Sequence, residues 1–344
     1  MSRTLYQAVT EPSEAGEARR RVQRMAESLG LDETDAGRAA LVATELAGNL
    51  VKHTSCGGHL LAQPVVRDGR AGVEILSLDA GPGMQSVSRA LRDGYSTAGT
   101  PGTGLGAVTR MADEFDVHSL PGVGTAVLAR VWDAGRRLAP QPAPTHAGIA
   151  LMKPGQEVCG DGWAVDERGT RSAVLVADGL GHGPDAAAAS REAVRVFGTV
   201  STLDPAEVME RLHGALRGTR GAAAAVAAVD PVAGTVRFSG VGNIGASVLS
   251  GGESRSMVSL NGIVGHEARK IREFEYPFPA GSLLVLHSDG LGTRWSLDRY
   301  PGLGARDPLL IAGVLLRDFT RGNDDTTVVV LRGATSPAPP AGAV

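Results

Sequence analysis

Four acidic motifs, each at the border of an apolar, β-prone run, are the positions in this sequence best suited to chemistry. They are Asp161 in VCGDGWAV, Asp178 in SAVLVADGLGHG, Asp289 in SLLVLHSDGL, and Asp324 with Asp325 in GNDDTTVVVLR. A carboxylate at the rim of a sheet core costs several kcal/mol if left unpaired. No matching set of Arg or Lys stands beside these motifs, so divalent cations are the natural compensators. Hard oxygen ligands without a His/Cys set favour magnesium or manganese over zinc. Two such ions could hold a shared hydroxide for in-line attack on a phosphate ester. Asp-Gly is also a common turn dipeptide, so Asp178-Gly179 or Asp289-Gly290 taken singly reads as well as a turn. The fourfold repetition is what points to a site.

A second set lies earlier in the chain. Leu41, Glu45, Asn49 and His53 recur every four residues in DETDAGRAALVATELAGNLVKH, which places a carboxylate and an amide on one face of a predicted helix. Alone, that face reads as solvated surface. After it, the strand candidate VEILSL runs into DAGPGM, where Asp79 puts an acceptor at a strand end and Gly81 and Gly83 permit tight turns. Gly102, Gly104 and Gly106 are expected immediately before a helix, an arrangement that offers bare N–H groups to phosphate oxygens. No Gly-Lys-Ser/Thr follows, so this is not a Walker loop, and the spacing is not that of a dinucleotide fingerprint.

These residues need scaffolds, and 344 residues allow roughly two domains with their own cores. The boundary is expected in DAGRRLAPQPAPTHA, with a Pro-rich linker over 133–146 and a disordered Pro/Ala tail over 333–344. In the first domain, two amphipathic helices, EAGEARRRVQRMAESLG ending at Gly30 and the Glu45 helix, are expected before the strands. Aromatic residues make up only 4% and glycines number 47, so the cores must be tightly packed Ala, Val and Leu. A net charge of -3 argues against nucleic acid as a partner. Two cysteines, Cys56 and Cys159, cannot build a disulfide framework or a thiolate zinc cluster unaided. No signal core or membrane-spanning stretch is evident, so a soluble cytoplasmic protein without a membrane partner is expected.

The ordered set TELAGN, DAGPG, GTGLG and GVGTAVLARVW, over residues 1–132, resembles the GHKL-type, Bergerat-type ATP-binding domains, and most of all the anti-sigma and switch kinases. The resemblance implies an α/β sandwich that binds ATP with Mg2+. Asn49 would help hold the magnesium, Glu45 would act as base or position water, and Asp79 would accept from the adenine amino group. Thr125 would support that pocket, with Gly81, Gly83, Gly102, Gly104 and Gly106 shaping the pocket and its lid. VCGDGWAV, VLVADGLGHGPDAAAAS, FSGVGNIGASV, LLVLHSDGL and NDDTTVVVL, over residues 147–332, resemble the SpoIIE-type, protein phosphatase 2C-like metal-dependent phosphatases. That resemblance implies an α/β/β/α sandwich holding two Mn2+ or Mg2+ ions. Asp178 would bridge both, the Gly179 carbonyl would bind one, Asp289 and Asp324 would complete the other, and Asp161 would act directly or through water. Asp325 falls where the family often has Asn and ranks as supporting. His182, in a Gly-rich turn, is either a packed, hydrogen-bonding residue or the donor of the leaving-group proton. The phosphate-gripping Arg of the wider superfamily has no clear counterpart. The implied fold class is therefore α/β with two domains. The implied function is a protein serine/threonine phosphatase acting on a phosphorylated STAS-domain anti-sigma antagonist, fused to an ATP-binding, serine-kinase-like domain. The alternatives are a regulatory scaffold that binds ATP and a partner protein, and a phosphatase gated by a nucleotide sensor.

Overall fold

The computed structural model describes residues 4–91, 104–135, 144–268 and 270–333. Gly102, most of the linker and all but the first residue of the tail lie outside the described residues. The chain divides into two compact units, Met1–Ala143 with Arg299–Arg317, and Pro144–Asp298 with Asp318–Val344.

The first unit opens with a strand, β1 (Leu5–Val9), where only helices were expected. Five residues with no regular alternation give little local signal, and β1 is fixed by antiparallel pairing of Leu5 to Ala62 and of Val9 to Gly58. Helix α1 (Pro12–Ser28) starts with Pro12 and a Glu11/Glu14 capping box, and Gly30 follows its end at φ 83°. Helix α2 (Glu33–His53) is capped by Asp32, which accepts from the Asp35 N–H.

Next come β2 (Gly58–Arg67), β3 (Arg70–Asp79), the short helix α3 (Val87–Ala90), α4 (Gly104–Met111), β4 (Glu114–Leu120) and β5 (Gly124–Trp132). The five strands form one sheet in the order β1-β2-β3-β5-β4. The β2–β3 turn is made by Asp68 and Gly69, both at positive φ, the requirement of a two-residue hairpin that twists with its strands. One face, carrying Leu60, Ala62, Val73, Ile75, Val127 and Ala129, packs on α1 and α2 through Val22, Ala39, Ala43 and Leu46. The opposite face is also buried, at Leu61, Leu76, Leu78 and Leu128, so these strands read as apolar runs rather than alternating ones.

The second unit is two stacked sheets. Strands β6 (His146–Leu151), β7 (Asp161–Arg168) and β8 (Arg171–Gly179) come first. Helices α5 (Pro184–Val200) and α6 (Pro205–Ala215) follow. Then come β9 (Ala222–Asp230), β10 (Thr235–Val241), β11 (Gly245–Ser250), β12 (Glu253–Ser256), β13 (Ser259–Leu260), β14 (Phe274–Pro277) and β15 (Leu283–His287). Helix α7 (Pro308–Phe319), most of which belongs to the first unit, precedes the last strand, β16 (Thr326–Arg332). One sheet runs β13-β10-β9-β8-β7 with β14 paired to β10, and the other runs β12-β11-β15-β16-β6.

Alternation along β8 explains the layering of the second unit. Val174 and Val176 face the inter-sheet core with Phe238, Leu284, Leu286 and Val329, while Leu175 and Ala177 face Phe197, Val208 and Leu212 of the helices. The alanine-rich β9, buried on both faces, lets those layers approach closely. No helix among the described residues is long and apolar enough to cross a membrane.

The segment Arg299–Arg317, which carries most of α7, packs in the first unit. A Cβ at Gly313 would fall 2.4 Å from Leu76 Cδ2, so this glycine lets α7 lie close on the outer face of β3. On the same face Gln63, Glu74, Arg130 and Glu114 form a polar row across four adjacent strands. Arg130, 2% exposed, reaches Glu74 at 2.6 Å, Glu114 at 3.0 Å and Asp307 at 2.7 and 2.9 Å. Burial alone would lower the Arg130 pKa, but the charges of Glu74 and Asp307 carry it above the usual arginine range.

Candidate functional sites

In the second unit the four acidic motifs converge on one rim. Asp161 opens β7 and Asp178 is the penultimate residue of β8, and the two are direct cross-strand partners. Like charges opposite one another in a ladder are destabilising, and here further carboxylates join them. Asp289 follows β15 by two residues, and Asp324 and Asp325 precede β16. Asp289 accepts from the Asn243 Nδ2 at 2.6 Å, and Asp325 accepts from the Lys153 N–H at 2.8 Å. Among the described residues none of the five acids forms an ion pair with Lys or Arg.

Asp161 is 2% exposed, and both of its carboxylate oxygens are buried without a hydrogen-bond partner. Burial, with Asp325 and Asp289 nearby, pushes its pKa up to about 7. The Ser288 and Thr327 hydroxyls pull the other way. Burial first, then the charges of Asp161, Asp289, Asp324 and Asp325, raises Asp178 to about 9. Glycines hold the rim open. A Cβ at Gly179 would lie 2.0 Å from the Ala186 carbonyl, one at Gly290 would lie 2.1 Å from the Asp325 carbonyl, and one at Gly160 would lie 2.7 Å from Asp325 Oδ2.

No three His, Cys, Asp or Glu side chains among the described residues close around a single point as a finished metal cage. The donor chemistry nevertheless fits a hard divalent cation. The site offers an orphaned buried carboxylate, a second carboxylate opposite it, oxygen donors from the ends of two further strands, and no thiolate or imidazole set. His182 is exposed and makes no hydrogen bond among the described residues. Two residues of this rim were missed by sequence reasoning. Asn243 sits in FSGVGNIGASV, a motif whose Asn could have been read as a partner for an acid. Arg220 pairs with Asp185 at 2.6 Å and brings its guanidinium to 3.2 Å from the Cβ position of Gly181, a contact across 39 residues of sequence with no local signal.

The residues expected to hold a nucleotide lie in the first unit. Glu45 and Asn49 are half-buried on one face of α2. A Cβ at Gly104 would lie 3.4 Å from Asn49 Oδ1, so the start of α4 abuts that amide. Gly104 and Gly106 stand inside α4 rather than ahead of it, because helical pairing extends through the glycines. Asp79 ends β3, and its Oδ1 accepts from Gly81 N at 2.8 Å and from Thr125 N at 3.2 Å. The Thr125 hydroxyl meets Ser119 Oγ at 2.8 Å. Burial raises the Asp79 pKa, while the Gly81 and Thr125 N–H groups and the charges of Arg317 and His53 restrain the shift. Gly83 has φ 66°, and a Cβ there would strike the Leu120 carbonyl at 2.0 Å.

Two stretches of the chain match known families. Residues 8–132 match the family described as histidine kinase-like ATPase domain. Residues 168–333 match stage II sporulation protein E, SpoIIE. The serine/threonine-protein kinase RsbT of Bacillus subtilis is 34% identical over 115 residues, 33% of this chain and 86% of RsbT. The chain belongs to the RsbT-type histidine kinase-like ATPase family and carries a SpoIIE-type phosphatase domain. The phosphoserine phosphatase RsbX of the same organism is 27% identical over 142 residues, 41% of this chain and 71% of RsbX. A solved structure described as the bacterial stressosome, a modular system adapted to control secondary messenger signaling, aligns with TM-score 0.50 and 28% identity. It covers 55% of this chain and 98% of its own. In this SpoIIE-type, PP2C-like domain the gathered acids occupy the rim of the two-sheet sandwich.

Proposed function

We propose that the chain is a metal-dependent protein serine/threonine phosphatase whose substrate is a phosphorylated STAS-type anti-sigma antagonist, joined to an ATP-binding unit with serine-kinase capacity. The observation that carries the reading is the Asp161/Asp178 pair, a buried carboxylate and a half-buried one directly opposed in a ladder with no cation among the described residues to balance them. Asp161, Asp178, Asp289 and Asp324, with the Gly179 carbonyl, would hold two manganese or magnesium ions. When bound, such ions supply Lewis acidity toward water and the phosphoryl group. Asn243 orients Asp289, the Lys153 N–H fixes Asp325, and Gly160, Gly179 and Gly290 let backbone crowd the rim. His182, exposed on the turn after Asp178, is free to hand a proton to a departing serine oxygen.

In the first unit Glu45 and Asn49 would serve phosphoryl transfer from ATP, and Asp79, supported by Thr125, would receive the adenine amino group. RsbT is named a kinase and RsbX a phosphatase, and a chain carrying both kinds of unit would set a target's phosphorylation by the balance of the two. Hydrolysis of an aryl phosphate with and without manganese, by the natural chain and by Asp178→Asn, tests the phosphatase half. Metal-dependent turnover lost in Asp178→Asn is expected. No turnover and no manganese binding by the natural chain would leave a scaffold that binds ATP and a partner.

A further inference from the structure

We infer that Arg317, which belongs by sequence to the SpoIIE-matched stretch, is a positioning residue of the nucleotide site in the first unit. The inference rests on the reading of that unit as an ATP binder and adds a residue that the ATPase-matched stretch, ending at 132, does not contain. Arg317 and the whole segment Arg299–Arg317 are part of the same compact unit as Asp79.

The geometry is specific. The Arg317 Nη1 donates to the Asp79 backbone carbonyl at 2.7 Å. Gly124, at φ 133°, makes room for it: a Cβ there would stand 2.1 Å from the Asp79 carbonyl and 2.8 Å from Arg317 Nη1. The Asp79 Oδ1 is already engaged by Gly81 N and Thr125 N. Its Oδ2 has no partner among the described residues. Arg317 therefore fixes the peptide that joins Asp79 to the turn carrying Gly81, and with it the direction in which Oδ2 is presented. A charge-assisted bond to a carbonyl is among the stronger hydrogen bonds.

Arg317 is itself held in place. Its segment is anchored by the Arg130–Asp307 fork at 2.7 and 2.9 Å, by Asp307 N donating to Asp116 Oδ2 at 2.9 Å, and by Arg306 reaching Asp116 at 3.2 Å. His118 Nε2 meets the Pro301 carbonyl at 3.2 Å, and Gly313 seats α7 on Leu76 and Leu78. A guanidinium on the last turn of a helix docked at so many points keeps its aim. Asp79 would thus be a selective acceptor for an exocyclic amino group only while Arg317 holds its main chain.

The test uses the full chain with Arg317→Met, which keeps the apolar stem and removes the donor, and Arg317→Lys, which restores one donor. Equilibrium binding of ATP and of GTP, each with magnesium, is measured beside thermal melts. Arg317→Met is expected to weaken ATP about tenfold, the loss of one charge-assisted hydrogen bond, while GTP binding stays within about twofold and Arg317→Lys recovers most of the ATP affinity. Equal weakening of ATP and GTP would make Arg317 merely structural and overturn the inference, as would an unchanged ATP affinity or a variant that does not fold. A natural chain that binds neither nucleotide would remove the ATP reading itself, a different failure from the other three.

Discussion

Asp178→Asn is expected to stabilise the metal-free protein while abolishing its manganese response. In the metal-free fold burial and four neighbouring acids raise Asp178 to about 9, against about 3.9 for an exposed aspartate. An acid whose folded pKa is raised binds more protons folded than unfolded between the two values. Stability therefore falls as pH rises through that window, from about 4 to about 9. At pH 7 the window has been crossed for about three units at about 1.4 kcal/mol each, an upper bound of about 4 kcal/mol. Sharing of the repulsion among the five acids reduces this to about 2–4 kcal/mol.

The amide introduced by Asp178→Asn would carry no such charge, so in chelator the variant should melt about 5–15 °C higher at pH 7, at about 2–4 °C per kcal/mol for a domain of this size. The gap should shrink toward pH 5. Adding manganese should raise the melting temperature of the natural chain and leave the variant unmoved, since a ligand stabilises only the state that binds it. The assay is differential scanning fluorimetry from pH 5 to 8.5, with EDTA and then with manganese. A variant less stable than the natural chain in EDTA at pH 7, or a gap that does not depend on pH, refutes the charge argument.

Two further outcomes follow from the same packing. Arg130→Met should lower the stability of the first unit by about 3–5 kcal/mol, because Glu74 and Asp307 would stay buried without their cation; urea unfolding checks it, and a loss below about 1 kcal/mol would mean the network is solvent-screened. Asn243→Ala should reduce metal-dependent turnover about 10–100-fold by releasing Asp289, with the melting temperature in EDTA nearly unchanged. Turnover on an aryl phosphate across a manganese titration measures that effect.

Much of both sites was legible before any coordinates. Asp178 and Asp289 could be found because a carboxylate closing an apolar run breaks the pattern that a buried strand must otherwise keep. Gly30 could be placed because capping chemistry acts within three or four residues. The sequence did not show β1, whose five residues are strand only because Ala62 and its neighbours pair with them. It also misplaced Gly104 and Gly106, since local propensity counts glycine as helix-breaking while the pairing of α4 overrides it. Asn243 could be seen in its motif but not its partner, 46 residues away.

The residue types, the rim acids, the order of the motifs and the two-part composition belong to the sequence alone, because they follow from short-range periodicity and from the chemistry of single side chains. Only the tertiary structure sets Asp161 opposite Asp178, leaves the oxygens of Asp161 without partners, and turns five separate acids into one mutually repelling group. It alone carries Arg299–Arg317 into the first unit, so that Asp307 meets Arg130 and Arg317 meets Asp79 across 177 and 238 residues. Register and long-range return are decided by which buried faces and charges must be satisfied together, and no window of sequence contains both halves of such a pair.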